Sequence, residues 1–173
     1  MRLHHELTGH SFGRESFLTI GVFDGVHRGH LHIIADLKTE SVRQGALAGV
    51  VTFRNHPLSV LKEGFETRFL TDLEQRLGLL KDAGADFVVP ITFDLDLSRR
   101  PASRFIEFLQ KYLRMRGLVI GPDFAMGNGR EGDADSLLLL SDQMGFSLSV
   151  SDPLVCEDGQ TIRSTSVRGA LDR

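Results

Sequence analysis

Short apolar runs alternate with amphipathic stretches from one end of this chain to the other, and that alternation limits its fold more than any other feature. Phe17 to Phe23 is one such run, closed by the turn pair Asp24-Gly25. Ala46 to Phe53, Asp86 to Ile91, Leu118 to Ile120 and Phe146 to Val150 follow. Runs of this length bounded by turn residues read as buried strands. The segments between them read as helices. From Gly29 to about Arg43, Leu31, Ile34 and Leu37 recur at helical spacing. Thr71 and Glu74 fit a capping box, Leu73, Leu77 and Leu80 form the inner stripe that follows, and Gly84 stands where a C-terminal glycine ends a helix. Pro101 suits a first helical turn and leads into Phe105, Phe108, Leu109 and Tyr112 on one side. Asp135 to Met144 makes a further helix, closed by Gly145, and a last short one is expected near Ser164 or Thr165. Strands that alternate with helices need crossover connections. The expected fold is therefore α/β, with about five parallel strands flanked by helices, in a single domain spanning residues 1–173. Ligands of such sheets bind beyond the carboxyl ends of the strands. Asp24 to His30, Asn55 to Pro57 and Gly121 to Asp133 are thus the segments to read for chemistry.

Composition narrows the partners. A formal net charge of -3 gives no basic surplus, which argues against nucleic acid. The single cysteine, Cys156, rules out an internal disulfide, favours a reducing compartment, and has no paired base nearby in sequence, so it reads as inert. The polar, His-rich stretch from Met1 to Ser16 lacks the apolar centre of a signal peptide. No apolar run approaches the roughly 20 residues that span a bilayer. The expected location is the cytoplasm, with no membrane partner.

The first motif is Gly21 to His30, G-V-F-D-G-V-H-R-G-H, between a strand and a helix. Gly25 and Gly29 allow a tight turn and close approach of the backbone to a ligand. The helix beginning near Gly29 offers free N–H groups and a positive dipole end to phosphate. His27 and His30, three residues apart, fall on one face of the first turn, where both could donate to an α-phosphate. The alternatives are a capping His beside a solvated one, or a metal site, for which no third ligand has convincing spacing. His56-Pro57 follows a strand end, and the proline holds His56 extended. That either aims His56 and Asn55 across the sheet edge or makes a plain exit turn. Phe124 and Met126, in a glycine-rich loop, could line a flat aromatic ligand or pack beneath the loop. Ser164 and Thr165 at a helix start, with Arg168 one turn on, could clamp phosphate or simply cap the helix.

Together these motifs resemble the bacterial FAD synthetases, the FMN adenylyltransferase half of the bifunctional riboflavin kinase/FMN adenylyltransferase family. G-x-F-D-G-x-H-x-G-H matches the nucleotidyltransferase signature, with Gly21, Phe23, Asp24, Gly25, His27, Gly29 and His30 in place. Thr52 to Pro57 is similar to T-F-x-x-H-P, Gly121 to Gly127 to G-x-D-F-x-F-G, Arg130 and Gly132 to the following R-x-G, and Ile162 to Arg168 to I-S-S-T-x-I-R. The resemblance implies a Rossmann-like nucleotidyltransferase that transfers AMP from ATP to FMN with Mg²⁺. It implies His27, His30 and Arg168 in catalysis, and Gly21, Phe23, Asp24, Gly25, Gly29, Ser164 and Thr165 around the nucleotide. It implies Asn55, His56, Pro57, Asp123, Phe124, Met126 and Arg130 around the flavin, and leaves the metal ligands unassigned. Met126 stands where the family has Phe, Arg163 where it has Ser, and Asn55 where it commonly has Pro. The other readings are a relative acting on another phosphate-bearing small molecule, such as phosphopantetheine or glycerol phosphate, and a non-catalytic flavin or nucleotide sensor.

After Arg168 only Gly169 to Arg173 remain, too short for the riboflavin kinase domain of the bifunctional relatives. Given riboflavin and ATP without FMN, the 173-residue chain is expected to form neither FMN nor FAD. Chromatographic detection of either product, free of contaminating kinase, would place a second activity within it.

Overall fold

The computed structural model describes residues 2–10, 12–155 and 158–159. The elements run in the order α1 (Arg2–Thr8), β1 (Ser16–Gly21), α2 (Arg28–Arg43), β2 (Leu47–Phe53), α3 (Leu58–Leu61), α4 (Leu73–Asp82), β3 (Phe87–Ile91), α5 (Leu95–Ser98), α6 (Ala102–Leu113), β4 (Met115–Ile120), α7 (Ala134–Met144) and β5 (Ser147–Val150). Two 3₁₀ turns, Asp24–Val26 and Asn128–Arg130, lie after β1 and β4. The five strands form one parallel sheet in the order β3-β2-β1-β4-β5. The chain winds outward from β1 to β3, then crosses back to β4, so the switch point lies between β1 and β4. Pro90 sits inside β3, which is tolerated because β3 is an edge strand and owes fewer ladder hydrogen bonds.

Side chains alternate across the sheet and build a core on each face. Leu18, Ile20, Val51, Val89, Leu118 and Ile120 point into one layer with Leu7, Phe105, Ile106, Leu109 and Leu137 from α1, α6 and α7. Phe17, Val50, Val88 and Val119 point into the other with Ile34, Leu37 and Leu80 from α2 and α4. Two strand glycines let large neighbours cross the sheet surface. A Cβ at Gly49 would lie 2.3 Å from Phe87 Cζ, and one at Gly117 would lie 2.1 Å from Phe17 Cε1.

The expected strands and long helices are present, with shifted ends. β1 stops at Gly21, so Val22 and Phe23 belong to the exit loop, and β4 begins at Met115 rather than Leu118. The capping box of α4 is Asp72 with Gln75, one residue later than Thr71 with Glu74. The Asp72 carboxylate accepts from the Gln75 amide at 2.8 Å, which frees Thr71 for other contacts. Leu31 is exposed rather than part of the inner stripe of α2. The short helices α1, α3 and α5 carry no repeating apolar pattern long enough to mark them. α1 instead docks through Leu3 and Leu7, and through Glu6, whose carboxylate accepts from the Thr92 amide and hydroxyl at 2.8 and 2.7 Å. The last expected helix and Cys156 lie outside the described residues.

Because both glycine sites are filled by rings fixed in the core, Gly49→Ala and Gly117→Ala should each lower folding stability by about 1–3 kcal/mol, the usual cost of overpacking. Urea unfolding of each variant measures this, and unchanged midpoints would show that the rings move aside freely.

Candidate active site

The carboxyl ends of β1 and β2 diverge, and the polar groups exposed there are met by buried side chains. Beyond Gly21 the chain turns through Phe23 and Val26 with φ of 52° and 42°, left-handed values that neither side chain favours. Asp24, 1% exposed, holds this turn in place. Its carboxylate accepts from the Leu70 amide at 2.8 and 3.0 Å and from the Thr71 amide at 3.2 Å. Gly25, φ 76°, donates its own amide to Thr71 Oγ1 at 3.2 Å, and a Cβ there would meet Leu70 Cδ1 at 2.9 Å. Arg76 of α4 is fully buried, although an arginine is seldom so. It donates to the Val22 carbonyl at 2.9 Å and the Phe53 carbonyl at 2.8 Å, and lies 5.0 Å from the centre of the Phe69 ring. Burial lowers its pKa, and the negative charge of Asp24 opposes that shift.

This turn delivers His27 and His30 to the start of α2. His27 is the N-cap, with extended backbone, and its Nδ1 accepts from the Gly29 amide at 3.2 Å. His30 is in the first turn. The two rings stack with centroids 3.6 Å apart and planes at 18°, and Phe23 meets the His30 ring edge-on at 5.1 Å. His30 Nδ1 is buried with no hydrogen-bond partner among the described residues. Burial, then the proximity of His27, push the His30 pKa down to about 3, against a smaller raising effect of Asp24. Burial also lowers the pKa of His27, opposed by Asp24. Both imidazoles are therefore neutral near pH 7 and can each offer a ring N–H.

The histidines open onto a cleft of about 360 Å³ at the switch point, also lined by Gly21, Phe23, Gly29, Asp123, Phe124 and Asp152. Of the anticipated flavin residues, Asp123 and Phe124 are here. Met126 lies beneath the loop in the core, 8% exposed, its backbone paired with Gly132, so packing accounts for it. Arg130, φ 60°, donates to the Asp123 carbonyl at 3.1 Å and braces the loop.

Asn55 and His56 are elsewhere. They line a second, more open cleft of about 660 Å³ with Arg54, Phe65, Arg68 and Phe69. Asn55 spends its amide on the Phe93 backbone, donating at 2.8 Å and accepting at 2.9 Å. His56 Nδ1 accepts from the Leu58 amide at 3.1 Å, its ring lies 5.2 Å from Phe65, and Pro57 precedes α3. Arg163, Ser164, Thr165 and Arg168 lie outside the described residues. Arg76 belongs to no motif, and Thr71 reads from the sequence only as a helix cap. The one available signal was Arg76 itself, a charge in register with the apolar stripe that ends at Leu80. Among the described residues, no group of three or more His, Cys, Asp or Glu is placed to hold a metal ion, and no helix is long and apolar enough to cross a membrane.

A parallel sheet with an HxGH turn at its switch point defines an α/β protein of the nucleotidyltransferase type. Solved structures agree on the fold. A Streptococcus pneumoniae protein titled a macrolide-efflux protein superposes with a TM-score of 0.84 at 22% identity, over 95% of this chain and 53% of its own. A pantoate-beta-alanine ligase from Francisella tularensis gives 0.63 at 11% identity, over 96% and 69%. The chain belongs to the FAD synthetase family, whose model matches residues 10–166. It is 38% identical over 155 residues to the bifunctional riboflavin kinase/FMN adenylyltransferase of Escherichia coli K12, covering 89% of this chain and 49% of that protein. A Geobacillus thermodenitrificans relative is 32% identical over 158 residues, 91% of this chain and 83% of its own. The chain thus spans about half the length of the first curated relatives it matches.

A histidine with its pKa lowered in the fold binds fewer protons than the unfolded chain between the two values. The stability it contributes is present above pH 6.5 and is lost as pH falls toward 3. Titration by NMR should show the His30 ring still neutral at pH 5, while an exposed histidine is largely protonated. A His30 midpoint near 6.5 would contradict the burial described here.

Proposed function

We propose that this chain transfers the adenylyl group of ATP to FMN, giving FAD and pyrophosphate. The observation that carries the reading is the stacked His27–His30 pair, which faces the same cleft as Asp123 and Phe124 in a chain of the FAD synthetase family. An FMN phosphate oxygen attacks the α-phosphorus of ATP, the new P–O bond forms, and the bond to the departing pyrophosphate breaks. The monoester has a second pKa of about 6, so it is already largely dianionic at neutral pH and needs no base. The protein's task is alignment and charge stabilisation. His27 and His30, as neutral donors, and the free N–H groups at the start of α2 meet the charge that grows on the α-phosphoryl oxygens. Phe124 supplies an apolar wall for the flavin. Ser164, Thr165 and Arg168 are assigned to the phosphates on the sequence match alone.

Mg²⁺ fits the donors of this cleft only in part. The described residues offer no complete cage, but Mg²⁺ commonly takes one or two carboxylates and fills its shell from substrate phosphates and water. Asp123 and Asp152 line the cleft and would hold it. Bound there, it would neutralise charge on the leaving pyrophosphate. Cytoplasmic residence, a single domain and an absence of nucleic-acid or membrane partners belong to the same proposal.

Mixed with FMN, ATP and Mg²⁺, the chain should release FAD and pyrophosphate in equal amounts. Phosphopantetheine or glycerol phosphate in place of FMN should give no pyrophosphate. A folded protein that binds both ligands without turnover would be a sensor instead. His27→Ala and His30→Ala should each lower kcat on the order of 10²–10³-fold with much less effect on ATP affinity, as for loss of a transition-state donor. Equal losses in ATP binding, with no separate loss in kcat, would assign the pair to ground-state binding. Phe124→Ala should weaken FMN and spare ATP; the reverse would misplace the flavin.

A further inference from the structure

One side-chain bond joins α2 to the exit of β5, at the rim of the cleft that holds the histidines. Ser151 Oγ donates to Asp36 Oδ2 at 2.5 Å, between residues 115 apart in sequence. Ser151 also donates its backbone amide to the Ile120 carbonyl at 2.7 Å, so the chain leaves β5 anchored at two points. It is 4% exposed, so water competes little for its hydroxyl. The next three residues, Asp152, Pro153 and Leu154, form a wall of the cleft. Asp36 stands behind a second wall residue as well. His32, one turn earlier on α2, lines the cleft and brings Nε2 to 3.8 Å from the same Oδ2. Asp36 itself lines a separate hollow of about 190 Å³ with Ser149, Val150 and Ser151. A helix rises about 1.5 Å per residue, which puts Asp36 roughly 9 Å along α2 from His30.

We propose that Asp36 is a positioning residue for the nucleotide: through Ser151 it holds the 152–154 segment against α2 and so sets the width of the cleft that receives ATP. The inference rests on ATP being a ligand of this cleft. In that reading α2 presents His27, Gly29 and His30 to the α-phosphate, and the wall beyond β5 must stand at a fixed distance from them. The backbone bond to Ile120 fixes where β5 ends. It does not fix how the following residues lean, and the bond to α2 supplies that second constraint. A hydroxyl on a carboxylate is a charge-assisted bond of the strong kind. A wall already held in place need not be ordered when the nucleotide arrives, so less binding free energy is lost to ordering. The Asp36 side chain is 42% exposed, so water can take its place as partner when the serine hydroxyl is removed, and the fold itself loses little. An asparagine keeps an oxygen acceptor for that hydroxyl and gives up only the charge. Asp36 reaches no reacting atom in this scheme and acts only through the wall it holds.

The test is calorimetric titration of α,β-methylene ATP with Mg²⁺ into the intact chain and its variants, a readout that needs no turnover. Asp36→Ala and Ser151→Ala should each weaken binding by about 5–20-fold, part of the roughly 10–150-fold that a hydrogen bond to a charged group is worth. The double variant should match the weaker single one within about twofold, because both changes remove the same link. Asp36→Asn should return the affinity to within about threefold of the wild type, since the acceptor is restored. Ser151→Ala carries the test if Asp36→Ala does not fold, as judged by circular dichroism and thermal melting. A merely structural link would lower the melting temperature and leave the affinity intact. That result overturns the proposal, as do single losses that add in the double variant, or an Asp36→Asn variant as weak as Asp36→Ala. Each of these outcomes leaves adenylyl transfer standing. A wild type that does not bind the analogue overturns both.

Discussion

The site depends on a buried carboxylate and a buried guanidinium at the end of a parallel sheet. Asp24 gathers the amides of Leu70 and Thr71, and Arg76 takes the carbonyls of Val22 and Phe53. Neither is accessible to solvent, so water cannot substitute for either. Buried charges are costly unless hydrogen-bonded and offset by opposite charge, and here the negative charge of Asp24 opposes the effect of burial on Arg76. The fixed turn between them forces Phe23 and Val26 into left-handed backbone and sets the histidines in contact at the start of α2. Strain of this kind persists only where surrounding interactions over-determine it, as these do.

Much of this could be read from the chain, because the features with local causes leave local signals. The alternation of apolar runs and amphipathic stretches fixed the α/β class, and glycines at Gly25 and Gly145 marked turns with positive φ. The HxGH motif and the G-P-D-F loop are far apart in sequence, and the sheet order brings both to one cleft. What escaped depends on contacts far apart in sequence. The resemblance implies Asp24 around the nucleotide, and no local signal shows that its carboxylate also accepts from a segment 46 residues away. Asn55 and His56 read as companions of Phe124, yet β2 exits on the far side of β1 from β4, which puts them in a separate cleft. The capping box of α4 falls on Asp72 and Gln75, while Thr71 accepts from the distant Gly25 amide. No local pattern announces any of these.

The arrangement also explains why little dedicated acid–base machinery is needed for the proposed chemistry. The nucleophile arrives ionised, and the leaving group is a good one. What remains is to hold two anions close together without solvent relaxing between them, and neutral histidine donors in a sheltered cleft suit that task. A low His30 pKa follows from burial and costs nothing in this role, because a donor at the phosphate needs a ring N–H rather than a net charge.

Native-state amide hydrogen exchange tests the central constraint directly. If Asp24 and Arg76 hold the strand exits as a fixed unit, the Leu70 and Thr71 amides should open only with the core of the protein, as slowly as those of β1 and β2. Asp24→Ala should release them selectively. Exchange at Leu70 and Thr71 as fast as in the exposed turn at 61–64 of the unmodified chain would show that the loop is not held, and the account of a preset histidine pair would fail with it.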